Sequence, residues 1–378
     1  MSTILVISFS DLARDPRVRR QIEALRGSHS VIAAGTGDPR MADVRFVSCA
    51  RAPRTLWRKV GEGIELILRR YEAYYRRMPH VRELAAKLES AAFDLAIAND
   101  LEALPLALRL AGNRPVILDA HEYAPRELEE RLAWRVFRQG HVEYLCRRYL
   151  GRVARMTTVS EGIATEYQRI FEVAPTVLDN AAPLHTLAPS PAGEQAVRMV
   201  HHGSAMPTRG IENMLLVMRS LPARFSLDLM LVPTSPRYLD ELKRLAAPDP
   251  RIRFVPPVPL QELIPATSRY DVGLYLLRPS SFNNLHALPN KFFEFIQARL
   301  AVAIGPSPEM ARIVREFDCG VVAPDFAPAS LAGLLERLSP ADIDRMKAGA
   351  NRAARARNAE GNAARLRAIV AATLEGRP

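Results

Sequence analysis

The sequence predicts an α/β protein made of two doubly wound domains, each with a parallel sheet covered by helices. Three observations lead to this prediction. Short apolar segments bounded by turn residues alternate with helical segments along nearly the whole chain, which is the pattern of βαβ units. The 378 residues exceed what one ordinary core accommodates. The alternation also starts afresh after a stretch rich in Pro, Ala and Ser at 181–193.

The first half of the chain supplies one set of elements. Its predicted strands are 3–8, 29–34, 44–48, 94–98, 115–119, 156–159 and 176–178. Its predicted helices are 15–26, 104–111, a long segment at 126–153 and helical segments in the basic region after residue 50. Asp15 and Pro16 provide an N-cap and a first helical position for the first helix. Ser160 is expected to cap the helix that follows the strand at 156–159.

The second half repeats the alternation. Its predicted strands are 198–202, 227–232, 252–255, 271–276, 301–304 and 320–322. Its predicted helices are 211–220, 237–245, 260–266, one that begins near residue 290, and an Ala- and Arg-rich segment at 342–374. The domains are therefore predicted at 1–180 and 196–355, with a linker at 181–195 and a final helix at 356–378.

Composition indicates the compartment. The first apolar run, residues 4–7, is followed at once by polar residues, so it is predicted to be a strand and not a signal peptide. No run approaches the length of a membrane span, and a cytoplasmic protein is expected. Cys49, Cys146 and Cys319 show neither disulfide nor metal-ligand spacing, which predicts reduced, structural cysteines.

The net charge of +11 is concentrated in two windows of the first half. Residues 51–90 carry ten basic and five acidic side chains, and residues 131–155 carry seven basic and one acidic. In the first window, Trp57, Leu66, Ile67, Leu68, Tyr71, Tyr74 and Tyr75 interleave with Arg58, Lys59, Arg69, Arg70, Arg76 and Arg77. This mixture is typical of a helix on an anionic membrane surface, and equally of a solvated helix face. Nucleic acid is disfavoured because no nucleic-acid motif is recognised.

The segment 288–305 carries the clearest sign of function. Pro289 fixes the backbone before a helix that Asn290 is expected to cap, which places Lys291 in the first turn, where unpaired N–H groups favour an anion. Glu294 follows one turn later, beside Lys291. A cation and a carboxylate at one helix start suit a ligand with phosphate and hydroxyl groups, such as a nucleotide sugar. A solvent-exposed ion pair is the alternative interpretation.

A second motif occupies residues 201–210. Gly203 follows a strand and allows the backbone to approach a diphosphate, and Arg209 offers a planar fork to its oxygens. His201 and His202 lack the companion ligands of a metal site, so no metal is expected there.

These two motifs resemble the donor site of the GT-B glycosyltransferases, especially glycosyltransferase family 4. Members often read Pro-Asn-Lys-Leu-Phe-Glu-Tyr where this chain has Pro289-Asn-Lys-Phe-Phe-Glu-Phe295, and Lys-Gly or Arg-Gly where it has Arg209-Gly210. The resemblance covers most of the chain. It implies the GT-B fold, in which two Rossmann-like domains face each other across a cleft and the final helix returns to the first domain. Many members carry two glutamates separated by seven residues, and His286 stands at the first of these positions.

The resemblance also implies roles for individual residues. Arg209 and Lys291 would stabilise the leaving nucleoside diphosphate, and His121, as the third catalytic residue, would position the donor sugar or the acceptor hydroxyl. Further donor contacts are expected from Gly203, Ser204, Asn290, Glu294, His286 and Asn180, with Glu294 holding the ribose. Acceptor-side contacts are expected from Arg14, Arg17, Asn99, Asp100 and Glu122.

The function implied is a retaining, metal-independent glycosyltransferase of the hexosyltransferase type. It would move a sugar from a UDP- or GDP-sugar to a hydroxyl acceptor in glycan biosynthesis, and it would need no cofactor. The acceptor would be a lipid-linked or cell-surface glycan precursor or a small molecule, and the protein could lie on the inner face of the membrane. Two alternatives stay open: a nucleotide-sugar epimerase of the same fold, and a catalytically degenerate scaffold at a membrane.

Overall fold

A computed structural model describes residues 1–49 and 56–376, and the side chains of residues 56–60 are not among those described. The side chains of Trp57, Arg58 and Lys59, which were predicted to lie on a helix face turned to a membrane or to solvent, therefore lie outside the described part. The described residues form two compact units. Unit 1 lies within Met1–Asp179, Ser281–Asn283 and Asn362–Pro378, and unit 2 comprises Asn180–Ser280 and Asn284–Gly361. The predicted linker at 181–195 thus falls within unit 2.

Unit 1, as far as it is described, is built on a seven-stranded sheet with the order β3-β2-β1-β4-β5-β6-β7. All neighbouring strands pair in parallel. The strands are β1 (Thr3–Asp11), β2 (Ser30–Thr36), β3 (Val44–Ser48), β4 (Leu95–Asn99), β5 (Val116–Ala120), β6 (Arg155–Thr158) and β7 (Thr176–Val177). The helices are α1 (Pro16–Arg26), α2 (Leu56–Ile67), α3 (Tyr71–Arg77), α4 (Pro79–Leu88), α5 (Leu104–Ala111), α6 (Leu132–Phe137), α7 (Gln139–Tyr149) and α8 (Glu161–Phe171).

Unit 2 is built on a six-stranded parallel sheet with the order β10-β9-β8-β11-β12-β13. The strands are β8 (Val197–Ser204), β9 (Phe225–Val232), β10 (Ile252–Val255), β11 (Val272–Tyr275), β12 (Ala301–Ile304) and β13 (Gly320–Val322). The helices are α9 (Glu212–Arg219), α10 (Pro236–Ala246), α11 (Leu260–Thr267), α13 (Asn290–Gln297), α14 (Pro308–Phe317), α15 (Pro328–Glu336) and α16 (Pro340–Ala356). The short helix α12 (Phe282–Leu285) has its first two residues in unit 1 and its last two in unit 2. The last helix of the chain is α17 (Ala359–Leu374).

The predicted fold class is confirmed, and every predicted strand is present. Asp15 caps α1 as predicted, because its Oδ1 accepts hydrogen bonds from the backbone N–H groups of Arg17 and Val18. Ser160 occupies the N-cap position of α8, but its hydroxyl makes no capping hydrogen bond, which corrects that expectation. The predicted helix at 126–153 is divided into α6 and α7 at Arg138, whose φ of −108° lies outside the α-helical range.

The final helix is held on unit 1 by apolar and polar contacts. Leu366 and Val370 of α17 belong to the same buried apolar cluster as Ile4 of β1. The side-chain amide of Asn362 donates to the backbone oxygen of Asp179 at 3.0 Å and to its carboxylate at 2.8 Å. These contacts explain why the chain end groups with unit 1 although it follows unit 2 in sequence.

The three cysteines pack in the interior like apolar residues. Cys49, Cys146 and Cys319 are buried and form no disulfide bond, in agreement with the prediction. Burial raises the pKa of the Cys146 thiol strongly and that of Cys319 to about 12, so both stay protonated and unreactive at neutral pH. No helix within the described residues is both long enough and apolar enough to cross a membrane.

The winding of each sheet reverses once, and this reversal positions the candidate site. β1 lies between β2 and β4, and β8 lies between β9 and β11. At such a reversal the two outgoing connections cover opposite faces of the sheet, which leaves a crevice at the carboxyl ends of the two strands. Ligands are therefore expected beyond β1 and β4 in unit 1 and beyond β8 and β11 in unit 2.

Candidate functional site

In unit 2, the ring of His201 links the two strands at which the winding reverses. His201 lies near the end of β8, and its Nδ1 is 2.9 Å from the backbone oxygen of Leu274 in β11. A carbonyl oxygen can only accept, so Nδ1 carries the proton. Burial and the nearby charge of Lys291 hold the pKa of His201 well below its usual value, so the ring is neutral at pH 7. Its Nε2 is therefore a hydrogen-bond acceptor.

Lys291 is the donor to this acceptor. Its Nζ lies 3.2 Å from His201 Nε2 and 4.9 Å from the centroid of the Tyr275 ring. Lys291 stands in the first turn of α13, as predicted. Asn290 does not cap this helix, because it is the first helical residue and the N-cap position is taken by Pro289, which has no polar side chain. Lys291 is thus fixed by β8 and β11 and not by its own helix start.

The amine of Lys291 is buried and lies near the positive charge of Arg209. Burial, and after it the positive charge of Arg209, lowers the pKa of Lys291 to about 7, and Glu294 opposes them in part. An amine with such a pKa is partly neutral at pH 7 and becomes fully charged when an anion binds beside it. The charges at the carboxyl end of β8 would therefore be better balanced with an anion beside them.

Two glycines shape the backbone around the Lys291 amine. Gly203 at the end of β8 has a φ of 125°, and a Cβ there would lie 3.1 Å from Lys291 Nζ. A side chain would both strain the backbone and crowd the amine. Arg209 ends a short 3-10 turn that is closed by Gly210 with a φ of 53°. Arg209 is exposed, so its guanidinium can reach a bound anion.

Glu294, the carboxylate of the same helix, lies next to the second histidine of β8. Its Oε2 is 3.7 Å from His202 Nε2, and the His202 ring packs edge-on against Phe295 with centroids 4.9 Å apart. Burial, with a further contribution from Lys291, lowers the pKa of His202 to about 3, so this ring is also neutral. His201 and His202 thus contact the two charged residues of the motif, a role that the sequence analysis missed. Their position directly before Gly203 was the available signal.

His286, at the position where relatives carry a glutamate, is attached to a glutamate from another helix. Its Nδ1 lies 3.1 Å from Oε1 of Glu309, which is buried in the first turn of α14. Because the carboxylate accepts, Nδ1 carries the proton, and the orientation of the ring is set by α14. Arg312 also approaches Glu309, at 3.8 Å.

The remaining donor-side residues lie against the same elements of unit 2. Asn180 donates its side-chain amide to the backbone oxygen of Leu288, just before α13, at 3.4 Å. Ser204 is the half-buried last residue of β8. Asn290 is exposed at the start of α13. Across the described residues, no group of three or more His, Cys, Asp or Glu side chains is arranged to hold a metal ion.

In unit 1, a buried carboxylate at the end of β5 organises the corresponding region. Arg17 of α1 binds Asp119 through two hydrogen bonds, Nε to Oδ2 at 2.9 Å and Nη2 to Oδ1 at 2.6 Å. Thr157 donates to Oδ1 at 2.7 Å, and Gln21 donates to Oδ2 at 3.2 Å. Burial alone would raise the pKa of Asp119, but Arg17 and His121 outweigh it and hold the pKa far below its usual range.

This network corrects the expectation that Arg17 contacts an acceptor. Its remaining nitrogen, Nη1, donates to the backbone oxygen of Leu178 at 2.7 Å, so the guanidinium is committed to the protein. The side chain of Arg17 is 13% exposed, whereas that of Arg14 is 88% exposed and lies 3.9 Å from Asp11. Of the two arginines, Arg14 keeps an acceptor-side role as a prediction.

His121 stands just beyond β5 between two carboxylates. Its Nε2 lies 3.5 Å from Asp119 Oδ2, and its Nδ1 lies 3.3 Å from Asp100 Oδ2. The Asp100 carboxylate also accepts a hydrogen bond from the backbone N–H of His121 at 2.9 Å. The backbone of Asp100 has a φ of 63°, a strained conformation for a residue other than glycine. Burial alone would lower the pKa of His121, but Asp100 and Asp119 outweigh it and raise the pKa above the usual value. His121 therefore keeps its positive charge to higher pH than an ordinary histidine.

The other residues predicted to face the acceptor differ in what they contact. Asn99 is buried, and its side-chain amide donates to the Gln21 side-chain oxygen at 2.9 Å. Its Oδ1 lies 3.2 Å from His121 Nε2, so it helps to fix the orientation of the histidine ring. Glu122 is exposed, and its backbone oxygen accepts from the hydroxyl of Tyr167 at 3.0 Å. The structure thus gathers Asn99, Asp100 and His121 at the ends of β4 and β5.

Comparison with known proteins identifies the fold. No family model and no curated protein matches the chain. Among solved structures, it is similar to sucrose-phosphate synthase from Thermosynechococcus elongatus, with 15% identity, a TM-score of 0.74 and complete coverage of both chains. It is also similar to Anabaena Alr3699/HepE in complex with UDP-glucose, with 14% identity, a TM-score of 0.69 and coverage of 98% of this chain and 100% of that one.

A third similar structure is a glycosyltransferase from Rickettsia africae, with 11% identity, a TM-score of 0.71 and coverage of 99% of this chain and 98% of that one. At such identities the likeness concerns the fold and not the individual residues. The chain therefore has the GT-B fold that its motifs predicted.

The structural role of Arg17 can be tested against Arg14. Arg17→Met should destabilise the protein by about 3–5 kcal/mol, the usual cost of leaving one partner of a buried ion pair alone. Arg14→Met should change the free energy of unfolding by less than about 0.5 kcal/mol, because its side chain is solvated. Urea unfolding followed by circular dichroism measures both changes. Equally small effects of the two substitutions would contradict the role assigned to Arg17.

The lowered pKa of Lys291 has a consequence for stability. Its folded-state pKa of about 7 lies below the ordinary value of about 10.4, so between these values the unfolded chain binds more protons. The free energy of unfolding of the ligand-free protein should therefore rise with pH across this window. Lys291→Met should remove this part of the rise and stabilise the protein at neutral pH.

Urea unfolding between about pH 7 and pH 10 measures this dependence. Lys243→Met is the matched control, because Lys243 is an exposed lysine of the same unit on α10. If wild type and Lys291→Met show the same pH dependence, the amine of Lys291 has an ordinary pKa.

Proposed function

We propose that the protein is a glycosyltransferase that moves a sugar from a nucleoside-diphosphate sugar to a hydroxyl acceptor with retention of configuration. The observation that carries this proposal is the amine of Lys291, held by His201 at the carboxyl end of β8 with Arg209 and Glu294 nearby. Two cations and one carboxylate match the diphosphate and the ribose of a nucleotide. The similar Anabaena protein is described in complex with UDP-glucose, which supports a UDP-sugar ahead of a GDP-sugar.

The departure of the nucleotide explains the use of two cations. When the bond between the anomeric carbon and the phosphate oxygen breaks, negative charge grows on the diphosphate. Arg209 can meet two oxygens with its planar fork, and Lys291 adds a compact charge, so together they would stabilise the leaving group without a divalent metal. Gly203 leaves room for the phosphate to approach the backbone.

Glu294 is proposed to accept hydrogen bonds from the ribose hydroxyls. The neutral ring of His202 lies with its Nε2 3.7 Å from the same carboxylate, and this contact limits the positions that the carboxylate can take. A carboxylate at this position would favour a ribose over a ligand without hydroxyl groups, because ribose hydroxyls can donate hydrogen bonds to it.

The acceptor side is assigned to His121 of unit 1. Its ring is oriented by Asp100 and Asp119 and keeps its positive charge to higher pH than usual, so it would attract the oxygen of an acceptor hydroxyl electrostatically. Retention follows when the acceptor oxygen bonds to the anomeric carbon on the face from which the diphosphate leaves. The proton of the acceptor hydroxyl then passes to the departing diphosphate.

His286 is proposed to contact the donor sugar in place of the family's glutamate. Glu309 contacts Nδ1 of the ring, so a contact with a sugar hydroxyl would be made at Nε2. A glutamate at this position would instead place a second carboxylate next to Glu309 and raise the cost of keeping both charged. The pair therefore accounts for the departure from the family pattern at His286.

The donor proposal is tested by ligand binding and turnover. A thermal-shift screen should show stabilisation by a UDP- or GDP-sugar, and ADP-sugars serve as comparison. Arg209→Ala and Lys291→Ala should each lower turnover by about 10²-fold or more, the usual effect of removing one preorganised donor to a developing anion. Lys243→Ala should leave turnover unchanged. The proposal is wrong if no nucleotide sugar stabilises the protein, and conversion of the nucleotide sugar without an acceptor would identify an epimerase.

The role of His286 is tested by substituting His286 alone and together with Glu309. His286→Ala should lower turnover, and His286→Glu should lower it as well, because the new carboxylate is repelled by Glu309. The double substitution His286→Glu with Glu309→Gln should restore activity relative to His286→Glu alone, since the repulsion is removed. Steady-state kinetics with the donor identified by the screen measures these changes. Full turnover of His286→Ala would exclude a role for this residue in donor binding.

A further inference from the structure

Helix α6 turns most of its apolar side chains outward. Trp134 is the residue of α6 that is buried, with 8% of its surface exposed. In contrast, Leu132 is 68% exposed, Val136 is 65% exposed and Phe137 is 42% exposed. Large aliphatic side chains on a helix normally face the core, so a short helix that exposes most of them calls for a covering partner.

The neighbouring helix α2 also exposes apolar side chains. α2 lies against α6 within unit 1, and Ile64, Ile67 and the following Leu68 are exposed, Ile67 at 66%. We call the set formed by the two helices the apolar face; it consists of Ile64, Ile67, Leu68, Leu132, Val136 and Phe137. These residues come from two parts of the chain more than 60 positions apart in sequence.

The apolar face differs from the one that the sequence predicted. Leu66, Tyr74 and Tyr75 were predicted to belong to a helix face turned to a membrane or to solvent, but all three are buried in the core of unit 1. The hydroxyl of Tyr75 donates to the backbone oxygen of Glu102 at 2.8 Å, which ties α3 to the body of the unit. Ile67 and Leu68 keep their predicted exposure, and α6 supplies the rest of the face.

The surroundings of the apolar face are basic. The exposed arginines next to it in sequence are Arg69, Arg70, Arg76, Arg77, Arg131 and Arg135. The segments 61–77 and 130–138 together hold seven arginines and four glutamates, a net charge of +3, and Glu130 lies 3.7 Å from Arg131. Two of these glutamates are already engaged: Glu65 is buried and paired with Arg77, and Glu72 accepts from the hydroxyls of Tyr144 and Tyr149 at 3.1 and 2.5 Å.

We propose that the apolar face and its arginines dock unit 1 on an anionic lipid surface. Apolar side chains would enter the boundary between headgroups and acyl chains, and the arginines would pair with lipid phosphates and carboxylates. A second copy of the chain is a poorer partner, since a symmetric contact would bring the two basic surroundings together. The proposal does not depend on the glycosyltransferase activity, although it would place the protein where lipid-linked acceptors are found.

The test is co-sedimentation of the whole protein with vesicles of phosphatidylcholine alone or mixed with phosphatidylserine. We expect binding to the anionic vesicles, weaker binding at high salt, and little binding to the neutral ones. The double substitution Leu132→Ser with Val136→Ser should reduce the bound fraction at least tenfold, and Arg131→Glu with Arg135→Glu should do the same. Val232→Ser with Leu260→Ser is the matched control, because both residues are exposed and apolar but lie in unit 2.

The vesicle-binding and light-scattering results each support or overturn docking of the apolar face on a lipid surface. Absence of binding at low salt, or equal binding of the Leu132→Ser, Val136→Ser variant and the control, would overturn the proposal. A dimer in light scattering that the same variant converts to a monomer would show that a second copy covers the face. Circular dichroism and nucleotide-induced thermal shifts should be unchanged in all variants, which separates a failure of docking from a failure of folding or of the proposed function.

Discussion

The reversal of winding between β8 and β11 is the constraint on which the candidate site depends. It leaves the carboxyl ends of two adjacent strands uncovered, and the Nδ1–H of His201 on one strand bonds to the backbone oxygen of Leu274 on the other. This bond fixes the tautomer of the ring and so makes its Nε2 the acceptor for Lys291. The position of the amine thus depends on a contact between two strand ends, whereas its lowered pKa comes from burial and from the charge of Arg209.

The sheet of unit 1 has the same reversal of winding, but different side chains lie at its strand ends. The reversal lies between β1 and β4, and the side-chain amide of Asn99 reaches the backbone oxygen of Ile7 across it at 3.4 Å. The charges there are paired: Arg17 neutralises Asp119, and His121 sits between Asp119 and Asp100. Unit 2 therefore offers uncompensated positive charge, which suits a diphosphate, whereas unit 1 offers an oriented imidazole, which suits a neutral hydroxyl.

Buried histidines and carboxylates recur as supports for exposed or half-buried functional groups. His201 and His202 contact the two charged residues of α13, Asp119 and Asp100 orient His121, and Glu309 orients His286. Except for Asp119, which lies two residues before His121, each supporting group comes from a different strand or helix than the group it holds. This arrangement restricts the rotamers of the functional side chains before a ligand arrives, which reduces the entropy lost on binding.

The sequence by itself determined the order of strands and helices, the cap at Asp15 and the place of Lys291 and Glu294 in α13. These features depend on periodicity and on residues within one turn of each other, so they can be read locally. The tertiary structure decided the partners: Arg17 pairs with Asp119 across 102 positions, and Lys291 with His201 across 90. It also decided that Tyr74 is buried while Leu132 is exposed. Such outcomes depend on which distant elements pack together, and a local pattern of residue types does not contain that information.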